Sequence, residues 1–289
     1  MNNGLGGESD YFLCFFRSKL YRELTRFAHF AFWAPDTRIF ESVDMRTGKK
    51  PQKLGAEKSD LNWGDWALTS EGERILLAAG GSSWRIRLSL RGALAPGACI
   101  RGRIELPGIK TRCISHPRLA TEGEISWNGK NAQLTGTSWF DHEWGSIALP
   151  HRWDWWGINL DDGTDLAVRL AGGEGLAQRM TPAGICQVTR TVLATPVRHW
   201  KTAAGATYPV EWKIGLPDFG TELRARPNRD DCETPFHVRY WEGPCRIEAQ
   251  ADGQGVQGRG YQELVGYHSQ FARFLGSRAG MIFKNLVHR

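Results

Sequence analysis

The chain has 289 residues, 41% hydrophobic and 24% charged, which describes a folded globular protein with room for one large domain or two moderate ones. Its 37 Lys and Arg against 31 Asp and Glu leave a net charge of +6, too evenly spread to argue for nucleic acid, and no run approaches the roughly 20 apolar residues that span a bilayer. Residues 1–10 lack a basic stretch followed by an apolar one, so no secretory leader is expected, and six scattered cysteines without a Cys-x-x-Cys pair fit reduced thiols in a cytoplasmic protein.

In chain order, residues 11–17 and 27–33 read as strands, with 18–26 between them a helix candidate. Residues 41–60 are polar and turn-rich and read as an exposed loop. Strands follow at 84–90, 99–106 and 132–137, then at 153–160, 165–171, 185–194, 211–216, 222–225, 244–251 and 258–267. Pro107-Gly108, Asn128-Gly129, Asp162-Gly163 and Asp252-Gly253 supply the turn chemistry between them. Many short strands without crossover helices predict an all-β protein of antiparallel barrels or sandwiches. The expected division falls near Leu149-Pro150, giving domains over 1–148 and 149–270 and a tail over 271–289. That tail interleaves Arg273, Arg278, Lys284 and Arg289 with Phe271, Phe274, Leu275, Ile282, Phe283 and Leu286, without an acid. Two readings stand open for it: peripheral contact with an anionic membrane surface, or docking on the barrel with its charges solvated.

Residues 136–145 carry the densest chemistry: Asp141, His142 and Glu143 stand between Trp139, Phe140 and Trp144, and Trp153, Trp155 and Trp156 follow closely. Two acids and an imidazole among indole rings suggest a pocket that moves their pKa values toward working pH; a structural ion-pair knot is the competing reading. In an extended chain Phe140, His142 and Trp144 share one face, so His142 is expected to line an apolar cavity away from bulk solvent. Asp141 and Glu143 then point the other way. No second histidine sits at ligand spacing and no Gly-rich phosphate loop is present, so neither a metal nor a nucleotide cofactor is expected. Trp63, Trp84, Trp127, Trp200 and Trp212 read as core. Glu263, flanked on its own face by Tyr261 and Val265, is open between pocket acid and satisfied barrel group.

In combination these motifs resemble the hydroxyneurosporene synthase (carotenoid hydratase) family, which includes the AttH-like proteins. The resemblance spans roughly residues 11–267. It rests on Phe140-Asp141-His142-Glu143-Trp144-Gly145, Trp153-Asp154-Trp155-Trp156, Tyr208-Pro209-Val210-Glu211-Trp212, Tyr240-Trp241-Glu242-Gly243 and Gly258-Arg259-Gly260-Tyr261-Gln262-Glu263. It implies two tandem lipocalin-like β-barrel domains and a metal-free, cofactor-free activity on a long unsaturated substrate, in a pocket near the domain junction. Two departures stand out. The family's early Trp-Trp-Tyr element has no counterpart ahead of Tyr11, and a strand that carries Tyr and Asp in the hydratases reads Leu166-Ala167-Val168-Arg169-Leu170 here.

Three functions remain open: hydration of an isoprenoid or polyene double bond, intramolecular [4+2] cyclisation of a polyene, and carriage of an apolar ligand without chemistry. For the first two, His142, Asp141 and Glu143 are the candidate catalytic residues, and Phe140, Trp144, Trp155, Trp156, Tyr261 and Glu263 the candidate substrate-binding ones. Indole faces would steady a carbocation by roughly 0.5–2 kcal/mol each.

Overall fold

The sequence Trp84-Arg85-Ile86-Arg87-Leu88-Ser89-Leu90-Arg91 alternates apolar and polar residues. As a strand (Trp84–Arg91) it buries Trp84, Ile86, Leu88 and Leu90 and turns its three arginines to solvent. The same period shapes most of the computed structural model, which describes residues 2–3, 7–20, 23–44, 61–92, 99–148, 152–236 and 239–268. The all-β architecture expected from the sequence is present: the 3-10 turn Pro217–Phe219 is the one helical element among the described residues. The glycine turns lie where they were read. Asn128-Gly129 (φ 46° and 77°) and Asp252-Gly253 (φ 48° and 77°) both adopt the left-handed region that a two-residue hairpin turn demands.

Of the helix candidate over 18–26, residues 18–20 and 23–26 are strand. Asp10–Leu20 and Glu23–Ala34 form a hairpin in register from Asp10↔Trp33 to Leu20↔Glu23. Aromatic pairs along the arms, Tyr11↔Phe32 and Phe16↔Phe27, carry these residues into the sheet against a weak helical preference. Thr37–Asp44 adds a third strand to this sheet where a loop was expected. The remainder of that loop and the basic tail lie outside the described residues.

The chain divides into two compact units, Met1–Ala95 with Arg118–Phe140, and Pro96–Pro117 with Asp141–Arg289. This differs from a single cut after residue 148, because two of the three crossings fall inside long strands, Ile109–Trp127 and Lys130–Ile147. Ala120–Trp127 pairs with the Trp84 strand in the first unit, whereas 109–115 pairs with Ile100–Leu106 in the second.

In the first unit the three-stranded sheet and a larger sheet enclose one aromatic core. Phe30 stacks on Trp84 (centroids 4.1 Å apart, planes at 6°), with Trp66, Trp63 and Trp127 around them. The second unit holds a nine-stranded antiparallel meander whose last strand, Gln254–Val265, returns to pair with its first, Trp153–Leu160. Consecutive strands pair throughout except between Cys186–Thr189 and Leu193–Lys201, so the sheet curls as a barrel with one open seam.

The two faces of this second sheet differ. Trp156, Ile158, Leu166, Val168, Trp212 and Ile247 fill its inner face. Trp153, Ala171 and Leu176 on the outer face pack against Ile104, Leu106, Ile109 and Cys113 of the hairpin formed by Ile100–Leu106 and the start of Ile109–Trp127. Polar groups enter this outer layer, and they build the candidate site.

Candidate functional site

Register sets the site. Glu242, Glu263, Trp155 and Arg169 are successive cross-strand partners on four adjacent strands, Trp241–Ala251, Gln254–Val265, Trp153–Leu160 and Asp165–Ala171. Directly paired residues project to one face with Cβ atoms about 5 Å apart. The row therefore lies on the outer, hairpin-covered face, together with Trp153, Tyr261 and Gln178 two positions along their strands. An acid–acid–indole–guanidinium row packed beneath a second layer is a costly arrangement unless its charges are managed.

Glu263 is half-buried, and Trp153 Nε1 donates to its Oε1 at 2.6 Å. Desolvation, reinforced by Glu143 and Asp141 and opposed by the Trp153 bond and Arg169, raises its carboxyl to about 7. Glu242 is buried, 3% exposed, and its Oε2 makes no hydrogen bond among the described residues. Burial, with Glu263 alongside, lifts its carboxyl well above the usual range, so it stays neutral. Arg169 is 5% exposed; its Nη1 donates to Gln178 Oε1 at 3.3 Å. Cys113 is held as a neutral thiol by burial and by the nearby Asp141.

The aromatic-flanked triplet splits across its strand. Thr111 Oγ1 donates to Glu143 Oε1 at 2.6 Å, and Glu143 and Asp141 act electrostatically on Glu263 and Cys113. His142 faces the other way beside Trp144, rings 5.1 Å apart, and both are exposed, Trp144 by 44%. The expectation that His142 is shielded in an apolar cavity is thus not met. Alternation carries the histidine and the acids to opposite faces of the strand; Asp141 and Glu143 are exposed as well, with Glu143 tied to Thr111. Packing against Trp144 still lowers the imidazole pKa by desolvation, which keeps it neutral near pH 7. Gly145 (φ 143°) closes the motif: a Cβ there would lie 2.4 Å from the Lys110 carbonyl, so only glycine lets the two strands approach.

Among the other expected residues, Trp155, Tyr261 and Glu263 share the outer face. Trp156 does not. It is fully buried in the inner core, edge-on to Trp212, with Nε1 donating to Gln262 Oε1 at 2.9 Å. Phe140 packs against the core of the first unit. Sequence reasoning missed Glu242, Arg169, Trp153 and Gln178 as members of one site. Glu242 did stand out within Tyr240-Trp241-Glu242-Gly243, but only strand register reveals that it faces Glu263.

A second polar cluster occupies the inner face at one end of the same sheet. Tyr267 OH donates to Asp154 Oδ1 at 2.7 Å, the Arg152 guanidinium lies 3.7 Å over the Tyr267 ring, and Tyr208 donates to Glu233 at 3.0 Å. Burial raises Asp154 to about 6, against the Tyr267 bond and Arg152. Each acid here has a dedicated phenol partner, which marks a satisfied structural network. In the first unit a shallow depression of about 440 Å³, edged by Thr69, Arg87, Glu122 and Glu124, offers no buried acid or base. The concentrated chemistry is on the outer face of the second unit.

Comparison with known proteins places the chain in a family. Residues 14–267 match the AttH-like family model. Among solved structures, the one assigned to AttH from Nitrosomonas europaea superposes with a TM-score of 0.74 at 26% identity, covering 92% of this chain and 89% of that one. Kievitone hydratase from Nectria haematococca superposes with a TM-score of 0.73 at 16% identity, covering 91% and 85%, a likeness of fold. No curated protein matches the chain. The chain belongs to the AttH-like family.

Proposed function

We propose that the protein is a cofactor-independent enzyme that adds water to a carbon–carbon double bond of a hydrophobic isoprenoid or polyene, on the outer face of its second unit. The observation that carries this reading is Glu263: a half-buried carboxyl, held at 2.6 Å by an indole N–H, whose pKa near 7 supplies its acid form at neutral pH. Membership of the AttH-like family and the fold shared with a hydratase support it.

The chemistry balances within the site. Glu263 gives its proton to one alkene carbon, leaving a carbocation beside the π-faces of Trp153 and Trp155. Water attacks the cation, and the carboxylate of Glu143 or Asp141 takes the released proton. The acids are open to solvent and release that proton to water, His142 on the opposite strand face buffers the exchange through the same water, and Glu263 is reprotonated from it. No oxidant, reductant or metal enters the balance.

The test is incubation of purified protein with isoprenoid polyenes in ¹⁸O-labelled water. Product heavier by one labelled water, lost in Glu263→Gln by about 100-fold or more, is the expected result. Product of unchanged mass would instead identify a cyclase, and tight binding without turnover a carrier.

A further inference from the structure

Arg169 sits in the buried row with one arm of its fork committed and the other idle. Its position is fixed from behind. Gln178 Nε2 donates to the Arg101 carbonyl at 3.1 Å, which leaves Gln178 Oε1 as the end that receives Arg169 Nη1. Gly102 makes that approach possible, since a Cβ there would come within 2.7 Å of Gln178 Nε2. The guanidinium is thereby held in place before any ligand arrives, and a pre-positioned donor loses little freedom on binding.

Nη2 is buried and makes no hydrogen bond among the described residues. A buried N–H without an acceptor is costly, and Arg has no neutral form to retreat to. Glu263 Oε1 takes the Trp153 indole and Glu143 Oε1 the Thr111 hydroxyl, while Glu242 Oε2, in the same row, makes no bond to Arg169. We infer that Arg169 Nη2 anchors a neutral carbonyl-type oxygen of the substrate, so that the polyene taken by this site is oxygenated and not a bare hydrocarbon. A hydrocarbon would leave the donor unmet. A carboxylate would satisfy it but would face Asp141 and Glu143, whose charges reach the same space around Glu263 and Cys113. A neutral acceptor avoids both costs. The inference rests on the reading of the Glu263 face as the reaction site.

Equilibrium binding tests it without turnover. Quenching of tryptophan fluorescence is titrated with farnesylacetone, with the hydrocarbon that carries a methylene in place of its ketone, and with farnesylacetic acid. The ketone is expected to bind tightest, by about tenfold or more over the hydrocarbon. Arg169→Leu should keep the hydrocarbon affinity and bring the ratio near one. Arg169→Lys, which keeps the charge but loses the fork, should reduce the preference at least about threefold and serves if the leucine variant does not fold. Equal binding of ketone and hydrocarbon, tighter binding of the acid, no binding of any of the three, or a ratio unchanged in a folded variant would each overturn the anchor. A protein that prefers the ketone through Arg169 yet hydrates nothing would sink the hydratase reading and leave the anchor standing.

Discussion

Glu263 shows how a single side chain acquires an acid's working range from its neighbours. Burial and the two facing carboxylates push its pKa up, while the Trp153 indole, which bonds the charged form, pulls it back toward 7. Trp153→Phe should therefore move the Glu263 midpoint upward, by an amount a ¹³C titration of labelled glutamate carboxyls would read; a midpoint unchanged or lowered would deny the indole its role. His142 makes the complementary case. Because it is exposed, His142→Ala should change stability by less than about 0.5 kcal/mol. A fall in turnover of about 100-fold in that variant would then report proton transfer and not unfolding. The neighbouring acids and this imidazole were visible in the sequence as a group. Their separation onto two faces follows from strand alternation, but that the acids reach Glu263 depends on tertiary packing, in which Glu143 is tied to Thr111 of the hairpin from residues 100–115.

Strand-level design is clearest where the motif meets that hairpin. Gly145 combines a φ of 143° with a Cβ position 2.4 Å from the Lys110 carbonyl and 2.6 Å from Thr111 Cα, both backbone atoms that cannot yield cheaply. Gly145→Ala should cost about 2 kcal/mol or more, seen as a lower urea midpoint with an unchanged slope. On the other side of the second unit, Glu211 accepts Arg198 at 3.1 Å, Arg224 at 2.5 Å and Arg226 at 3.3 Å, joining strands Leu193–Lys201, Thr207–Leu216 and Thr221–Pro227 beside a bulge at residues 196–199. The three arginines are partly exposed, so screening limits the worth of each pair. Glu211→Gln should destabilise by about 1 kcal/mol at low salt and less at high salt, because it removes the carboxylate shared by all three arginines, of which Arg198 keeps Asp230 and Arg226 keeps Glu248. In the sequence, Tyr208-Pro209-Val210-Glu211-Trp212 reads as a family motif; in the fold its members serve architecture, with Trp212 in the core and Val210 accepting a bond from Gln262.

For the molecule as a whole, raised carboxyl pKa values reverse the usual pH dependence. Glu263 binds its proton up to about 7 in the folded state against 4.5 as the ordinary value, and Asp154 up to about 6 against 3.8. Between those limits the folded state holds more protons than the unfolded one. The stabilisation from these groups is therefore complete at acid pH and is lost as pH rises toward 7. For Glu263 it amounts to less than about 3 kcal/mol, since the group is partly open to solvent. Thermal midpoints measured from pH 4.5 to 7.5 should decline for the native chain more steeply than for Glu263→Gln, which titrates nothing at that position. Parallel curves would contradict the raised pKa.

Much of this protein was legible in its sequence, for a local reason. Period-2 alternation, glycine turns and the absence of sustained helical periodicity are properties of neighbouring residues, so the all-β class, the hairpins at Asn128-Gly129 and Asp162-Gly163, the turn at Asp252-Gly253, and core roles for Trp63, Trp84, Trp127 and Trp212 could be read directly. The flanked triplet and Glu263 were likewise conspicuous by composition. Register between distant strands is not a local property. The pairing that sets Glu242 opposite Glu263 and Trp155 opposite Arg169 joins segments up to about a hundred residues apart, and it sends Trp156 to the core while its neighbour Trp155 joins the acids. A slip of one residue in any of those strands would have exchanged the two faces, and only the packing of both layers decides against it.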